Sequence, residues 1–295
     1  MKKRYLWQAR ICSYLMWLIT LLILNMFCGC FATVQQRTHG ERPQIPAENI
    51  LRSAHSHNDY QHYPKTGRRY GFSSLEVDVH LVDGTLYVAH DKEDIKEWLT
   101  FKDLYLVLLN SESSGRSYSP WLFAEKQPLT LLIDIKSDSV ATYNALMNEL
   151  ETVKPFLTTF SSSEIVLKPL LIIISGNRAK QRMLQDSLRY AAYDGRLSDL
   201  DKAYPPNFVY WISDNWEKNF QWRGEGQPLE SEIVKLRELA NRAHQRGAKL
   251  RFWKTPEKDR QVRERIWNLL LSCGVDILST DNMKHLSDFL RAREN

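Results

Sequence analysis

The chain has 295 residues, 43% of them hydrophobic, which is enough for a sizeable core and excludes a disordered chain. Its formal charge of +5 sits at one end: residues 1–47 carry Lys2, Lys3, Arg4, Arg10, Arg37 and Arg42 against Glu41 alone, so the remainder is balanced. A neutral body behind a basic leader excludes a nucleic-acid-binding surface.

From Ile11 to Phe27 no charged residue occurs. Behind its basic flank this stretch reads as a secretory signal or signal anchor. It ends in Met26-Phe27-Cys28-Gly29-Cys30. A small residue just before a cysteine is similar to a bacterial lipoprotein processing site, which would make Cys30 the lipidated residue; an uncleaved anchor is the other reading. Both readings hold the body at a membrane, and the expectation is an exported protein tethered to a bacterial cell envelope. Residues 1–30 are assigned to this signal or anchor, 31–47 (polar, with Pro43 and Pro46) to a linker, and 48–295 to one domain. Of Cys12, Cys28, Cys30 and Cys273, only the last lies in the body. An intrachain disulfide or a cysteine metal site is therefore not expected there.

The body alternates apolar runs with helical stretches. Strands are expected at Leu51–Ala54, Leu75–Val79, Leu129–Ile135, Pro169–Ile174, Phe208–Ile212, Lys249–Trp253 and Ile277–Ser279, with a weaker one near Tyr190–Tyr193. Val82-Asp83-Gly84-Thr85 is a hairpin turn after the second strand. Helices are expected at Val140–Val153, Ala179–Arg189, Glu230–Arg246, Asp259–Leu271 and Met283–Arg291. Residues 92–128 show no clear period and are expected to make a long excursion. Repeated strand–helix order with about eight strands predicts a TIM-type (β/α)8 barrel, with an open doubly wound sheet as the structural alternative.

The chemistry concentrates between Ser53 and Asp91. Glu76 and Asp78 lie two apart in an apolar strand and so share a face. Two adjacent carboxylates there need a cation, and one divalent metal, Ca²⁺ or Mg²⁺, fills that role; a solvated edge strand is the bland alternative. His57 follows the first strand and His90 the hairpin, so a parallel barrel brings both to its C-terminal rim. Two imidazoles can act as base and acid in displacement at phosphorus, beside a metal that neutralises phosphate oxygens. A zinc site from His55 and His57 competes with this assignment. Asp134, in Leu131-Leu132-Ile133-Asp134-Ile135-Lys136, points into the same mouth and completes the acidic set, and Lys136 shares its face and can hold a phosphate oxygen; a ligand-free Asp134–Lys136 pair is the alternative. Arg251 and Trp253 end a later strand and are candidates to line the substrate pocket.

SHNDY, LEVDVHLVDGTLYVAHD and LLIDIK, at this order and spacing, resemble the glycerophosphodiester phosphodiesterase and phosphatidylinositol phospholipase C superfamily. Within it they are most similar to the group named after the yeast protein altered inheritance of mitochondria 6. Ser175-Gly176-Asn177-Arg178, Arg251-Phe252-Trp253 and Asp276–Asp281 extend the likeness. The resemblance implies phosphodiester hydrolysis on a TIM barrel. His57 and His90 match its catalytic histidines, Asn58, Glu76, Asp78 and Asp134 its metal ligands, and Lys136 a phosphate-contacting lysine. The chain departs in carrying HNDY where glycerophosphodiesterases have His-Arg-Gly, and Asp134 where Glu is usual. The expected partner is a phosphodiester small molecule or a phospholipid head group, with the membrane reached through the N-terminal segment and no nucleic acid. The reading from another class is a membrane-tethered binding protein for phosphorylated ligands or glycans.

Overall fold

The computed structural model describes residues 51–56, 67, 69–106 and 128–294, all within the compact unit Ile45–Asn295. In chain order its strands are β1 (Leu51–Ser56), β2 (Phe72–Val82), β3 (Thr85–Val88), β4 (Leu129–Ile135), β5 (Thr159–Phe160), β6 (Ile165–Val166), β7 (Leu170–Gly176), β8 (Ala192–Gly195), β9 (Val209–Asn215), β10 (Lys249–Trp253) and β11 (Ile277–Thr280). Eight of them run parallel in the order β1, β2, β4, β7, β8, β9, β10, β11. β1 pairs with both β2 and β11, so the sheet closes on itself and the open-sheet alternative is excluded. The protein is a TIM-type α/β barrel, as the strand–helix order predicts. β3 folds back antiparallel on β2 through the turn at Asp83 and Gly84.

Strand alternation divides the side chains into two populations. One set points outward and packs under the helices: Leu75, Val77 and Val79 of β2, Leu131, Ile133 and Ile135 of β4, Ile172 and Ile174 of β7, Leu250 and Phe252 of β10. The other set fills the interior and changes character along the axis. Leu132, Leu171, Ile173, Ala192, Trp211 and Ile277 form an apolar floor together with Phe160. Later positions on the same inward faces are polar: Glu76 and Asp78, Asp134, Ser175, Asp194, Ser213, Arg251 and Ser279. The floor closes the N-terminal end of the barrel, and the polar layers open at its C-terminal end.

Helices α1 (Ser139–Leu150), α2 (Lys180–Leu184), α3 (Trp216–Asn219), α4 (Glu230–Gln245), α5 (Arg260–Ser272) and α6 (Met283–Glu294) supply the outer layer. Asp138 caps α1 by accepting from Ala141 N, and Asp259 caps α5 by accepting from Val262 N. α4 buries Leu236, Leu239, Ala240 and Ala243 and stops at Gly247, whose φ of +70° ends the helix without steric cost.

Two elements differ from the sequence expectation. α2 ends at Leu184 rather than Arg189, because Asp186 is drawn to Tyr143 Oη (3.3 Å) and Arg182 Nη1 (2.6 Å). Arg189 then exchanges backbone hydrogen bonds with Phe160, 2.9 Å each way, so the segment runs extended. The β5–β6 hairpin that receives it is too short to leave a periodic pattern, yet it delivers Phe160 to the floor.

Candidate active site

β2 and β4 are in register with Asp78 opposite Asp134, so two carboxylates share one inward row, with Glu76 one layer below. Ligand oxygens of Glu76, Asp78 and Asp134 lie within 4.8 Å of one another. The close approach depends on Gly176, the register partner of Ile135 on β7. It has a φ of +65°, and a Cβ there would collide with Asp134 Oδ1 and sit 2.5 Å from the Ile135 carbonyl. Any side chain at this position would force Asp134 or the β4 backbone at Ile135 to shift.

Each carboxylate is held differently. Glu76 Oε2 accepts from Arg251 Nη2 (2.7 Å) and from His55 Nε2 (3.1 Å). With Nε2 donating to a carboxylate, His55 Nδ1 accepts from Ser74 Oγ (2.7 Å). The His55 ring is fully buried and stands edge-on to Trp211 at 5.6 Å between centroids. Asp78 Oδ2 accepts from His90 Nδ1 (2.8 Å), which fixes the tautomer and leaves His90 Nε2 as the basic nitrogen. The His90 side chain is 51% exposed, whereas that of Asp78 is 3% exposed. Lys136 Nζ reaches Asp134 Oδ2 at 3.1 Å and Asp78 Oδ1 at 3.4 Å.

The electrostatics favour an additional cation. Burial first, then the Glu76 charge, push the Asp78 carboxyl up to about 6, against the opposing effects of Lys136 and His90. Burial also raises Asp134, with Lys136 opposing. The Lys136 ammonium is disfavoured by burial, but Asp134, Asp78 and Glu76 outweigh that and its pKa rises. Asp78 Oδ1 is buried and, beyond its 3.4 Å ion pair with Lys136 Nζ, accepts no hydrogen bond among the described residues. Three converging carboxylates, incompletely neutralised by Lys136 and Arg251, fit a hard divalent ion with oxygen ligands. A metal ion can therefore be held by the acidic triad.

Of the other residues expected at the site, His57 and Asn58 follow β1 directly in the chain and lie outside the described residues, as does Cys30. Arg251 is buried and committed to Glu76 and to Ser279 Oγ (2.7 Å from Nε). Trp253 ends β10, half-buried. The sequence reading did not assign a role to Asp194 and Arg196 on and after β8. Asp194 is fully buried, accepts from Ser175 Oγ (2.7 Å) and from Arg196 Nη1 (2.8 Å), and lies on the row beside Ser175 and Asp134. The signal was present as the polar interruption Asp194-Gly195-Arg196 after an apolar pair, but the strand is only four residues long.

Across the mouth, Glu257 follows β10. Burial pushes its carboxyl up to about 7, with Thr280 opposing through a hydrogen bond. A carboxyl whose pKa rises on folding holds more protons in the native state than in the unfolded chain between about 4.5 and 7. Its contribution to stability therefore falls as pH rises through that window. Glu257→Gln should melt close to the unsubstituted protein at pH 5 and above it at pH 8; equal differences at both pH values would contradict this.

A closed parallel barrel with a carboxylate triad and a carboxylate-held histidine at its C-terminal mouth is the arrangement in which TIM-type barrels carry catalytic residues. The chain belongs to the family of the AIM6-like phosphodiesterase domain, whose model matches residues 45–194, about half of the chain. It is 27% identical over 271 residues to Altered inheritance of mitochondria protein 6 of Eremothecium gossypii, covering 81% of this chain and 70% of that protein. It is 26% identical over 253 residues to the Altered inheritance of mitochondria protein 6 homolog of Arthroderma benhamiae, covering 78% of this chain and 81% of that one. These relatives overturn the expectation of an exported bacterial envelope lipoprotein: both are fungal, and their names refer to mitochondrial inheritance. The leader's likeness to a lipoprotein signal rested on a short local pattern, which any apolar run ending in Gly-Cys can supply. Among the described residues no helix is long and apolar enough to cross a membrane.

Proposed function

We propose that this chain is a metal-dependent phosphoric diester hydrolase of the glycerophosphodiesterase and phospholipase C type, acting on a small phosphodiester or a phospholipid head group. The observation that carries the reading is the convergence of Glu76, Asp78 and Asp134 within 4.8 Å, with His90 anchored on Asp78 at the exposed rim.

Asn58, Glu76, Asp78 and Asp134 would hold one Ca²⁺ or Mg²⁺. When bound, the ion supplies positive charge to a non-bridging phosphate oxygen. Lys136, between Asp78 and Asp134, adds a point charge to the same phosphate. His90 presents Nε2 to the substrate while Asp78 Oδ2 holds its Nδ1–H, and His57 takes the complementary proton-transfer role. One histidine removes a proton from the attacking hydroxyl, either a neighbouring substrate hydroxyl or water, and the other protonates the departing oxygen. The buried pair of His55 and Arg251 acts at one remove, by fixing the Glu76 carboxylate.

The test is hydrolysis of bis(p-nitrophenyl) phosphate and of glycerophosphodiesters with Ca²⁺ or Mg²⁺, set against EDTA. Product formation that EDTA abolishes and metal restores is expected. His90→Ala should lower kcat/KM on the order of 10²-fold or more. Turnover indifferent to EDTA, or a His90→Ala variant as active as the parent, would remove the basis of the assignment.

A further inference from the structure

Building on the metal-dependent reading, we infer that Lys136 occupies the cation site of the metal-free protein, so that holding a divalent ion and freeing the Lys136 ammonium for the substrate phosphate are one coupled event.

The carboxylate oxygens are already shared out. Asp78 Oδ2 is taken by His90 Nδ1 at 2.8 Å. The oxygen of Asp78 that remains for an ion is Oδ1, and it faces Lys136 Nζ at 3.4 Å. Asp134 Oδ1 fills the space that a side chain on Gly176 of β7 would take, on the far side of β4 from β2. That leaves Asp134 Oδ2 for the acidic cluster, and it accepts from Lys136 Nζ at 3.1 Å. One ammonium thus bridges the same two oxygens that the site offers to an ion. Burial disfavours its charge, yet Asp134, Asp78 and Glu76 outweigh that. The triad that would hold a metal already holds a cation.

Ca²⁺ and Mg²⁺ take their oxygens at about 2.0–2.6 Å. An ion on Asp78 Oδ1 and Asp134 Oδ2 would share both with the ammonium, and two cations on one pair of oxygens repel, the more so in a partly buried site. Lys136 must therefore release both oxygens for an ion to be held. Its side chain is 24% exposed and its stem is flexible, so it can swing toward solvent. Arg251 has no such freedom, being buried and tied to Glu76 and Ser279. Lys136 is the movable cation of the site.

The consequence is an order of events. In the metal-free protein the ammonium assigned to the phosphate is spent on Asp78 and Asp134. Once released, it is available at the same mouth. Phosphate affinity is thereby tied to metal occupancy, and by linkage a phosphate on Nζ raises the affinity for metal.

Acylation of the intact protein by N-hydroxysuccinimidyl acetate, read by mass spectrometry at each lysine, tests the release. Replacing EDTA with Ca²⁺ or Mg²⁺ should raise the labelling rate of Lys136 about fivefold or more, the low end of usual coupling between sites. Lys258 and Lys284, both 70% exposed, should label alike in the two conditions. Calorimetry with the metal alone supplies a second readout. Lys136→Met, which vacates the two oxygens, should bind the ion about fivefold tighter than wild type, or more. Metal that binds the wild type yet leaves Lys136 labelling level or lower overturns the inference and leaves the metal site standing. Binding by Lys136→Met no tighter than by wild type overturns it as well; should that variant fail to fold, the labelling decides alone. If the wild type binds no metal, binding by Lys136→Met supports Lys136 as the occupant, and binding by neither refutes both the inference and the metal reading.

Discussion

Asp78→Asn should abolish the stabilisation of this protein by divalent cations and lower its diesterase activity on the order of 10³-fold, while the barrel stays folded. Asparagine keeps the shape of Asp78, and its carbonyl can still accept from His90 Nδ1, now bound at 2.8 Å. What disappears is a charge at the centre of the acidic cluster, together with the 3.4 Å ion pair of Oδ1 with Lys136 Nζ. Burial and Glu76 already hold this carboxyl up to about 6, so removing its charge relieves repulsion in the metal-free protein. The metal-free melting temperature should therefore stay level or rise, while the increase on adding Ca²⁺ or Mg²⁺ vanishes. Melting curves with EDTA and with metal, alongside kcat/KM, read both effects. A variant that metal stabilises as strongly as the parent would show that Asp78 is not a ligand.

Arg251→Met is expected to act on stability more than on substrate affinity. Arg251 is 3% exposed and donates to Glu76 Oε2 and Ser279 Oγ, each at 2.7 Å. Methionine fills a similar stem volume but leaves the Glu76 carboxylate, itself 13% exposed, without its guanidinium partner. Removing one partner of a buried ion pair costs about 3–5 kcal/mol, which for a domain of this size lowers Tm by roughly 10 °C. Because both partners can often be replaced at little cost, the double variant Glu76→Gln with Arg251→Met should recover much of the loss. The pair can then be quantified by a double-mutant cycle. If Arg251 served as a substrate ligand instead, its substitution would raise KM and leave Tm near that of the parent.

Sequence alone determined what depends on neighbours along the chain. Alternation placed Glu76 with Asp78, and Asp134 with Lys136, on common strand faces. The strand–helix order implied a parallel barrel, and the position of His90 after the hairpin implied the C-terminal rim. These are consequences of a two-residue period and right-handed crossovers, which need no knowledge of distant contacts.

Only the tertiary structure decided which of these faces meet. Register between β2 and β4 set Asp78 against Asp134, and a one-residue slip would have separated them. Closure of the barrel brought Arg251 to Glu76 across 175 positions of sequence, so that a residue expected at the substrate pocket also holds a carboxylate of the acidic triad. The meeting of Arg178 and Arg196 on the Asp194 carbonyl also follows from the pairing of β7 with β8, whose four-residue strand has too little length to announce its inward face. Pairing between distant strands is fixed by the packing of the whole barrel, so no local stretch of residues encodes it by itself.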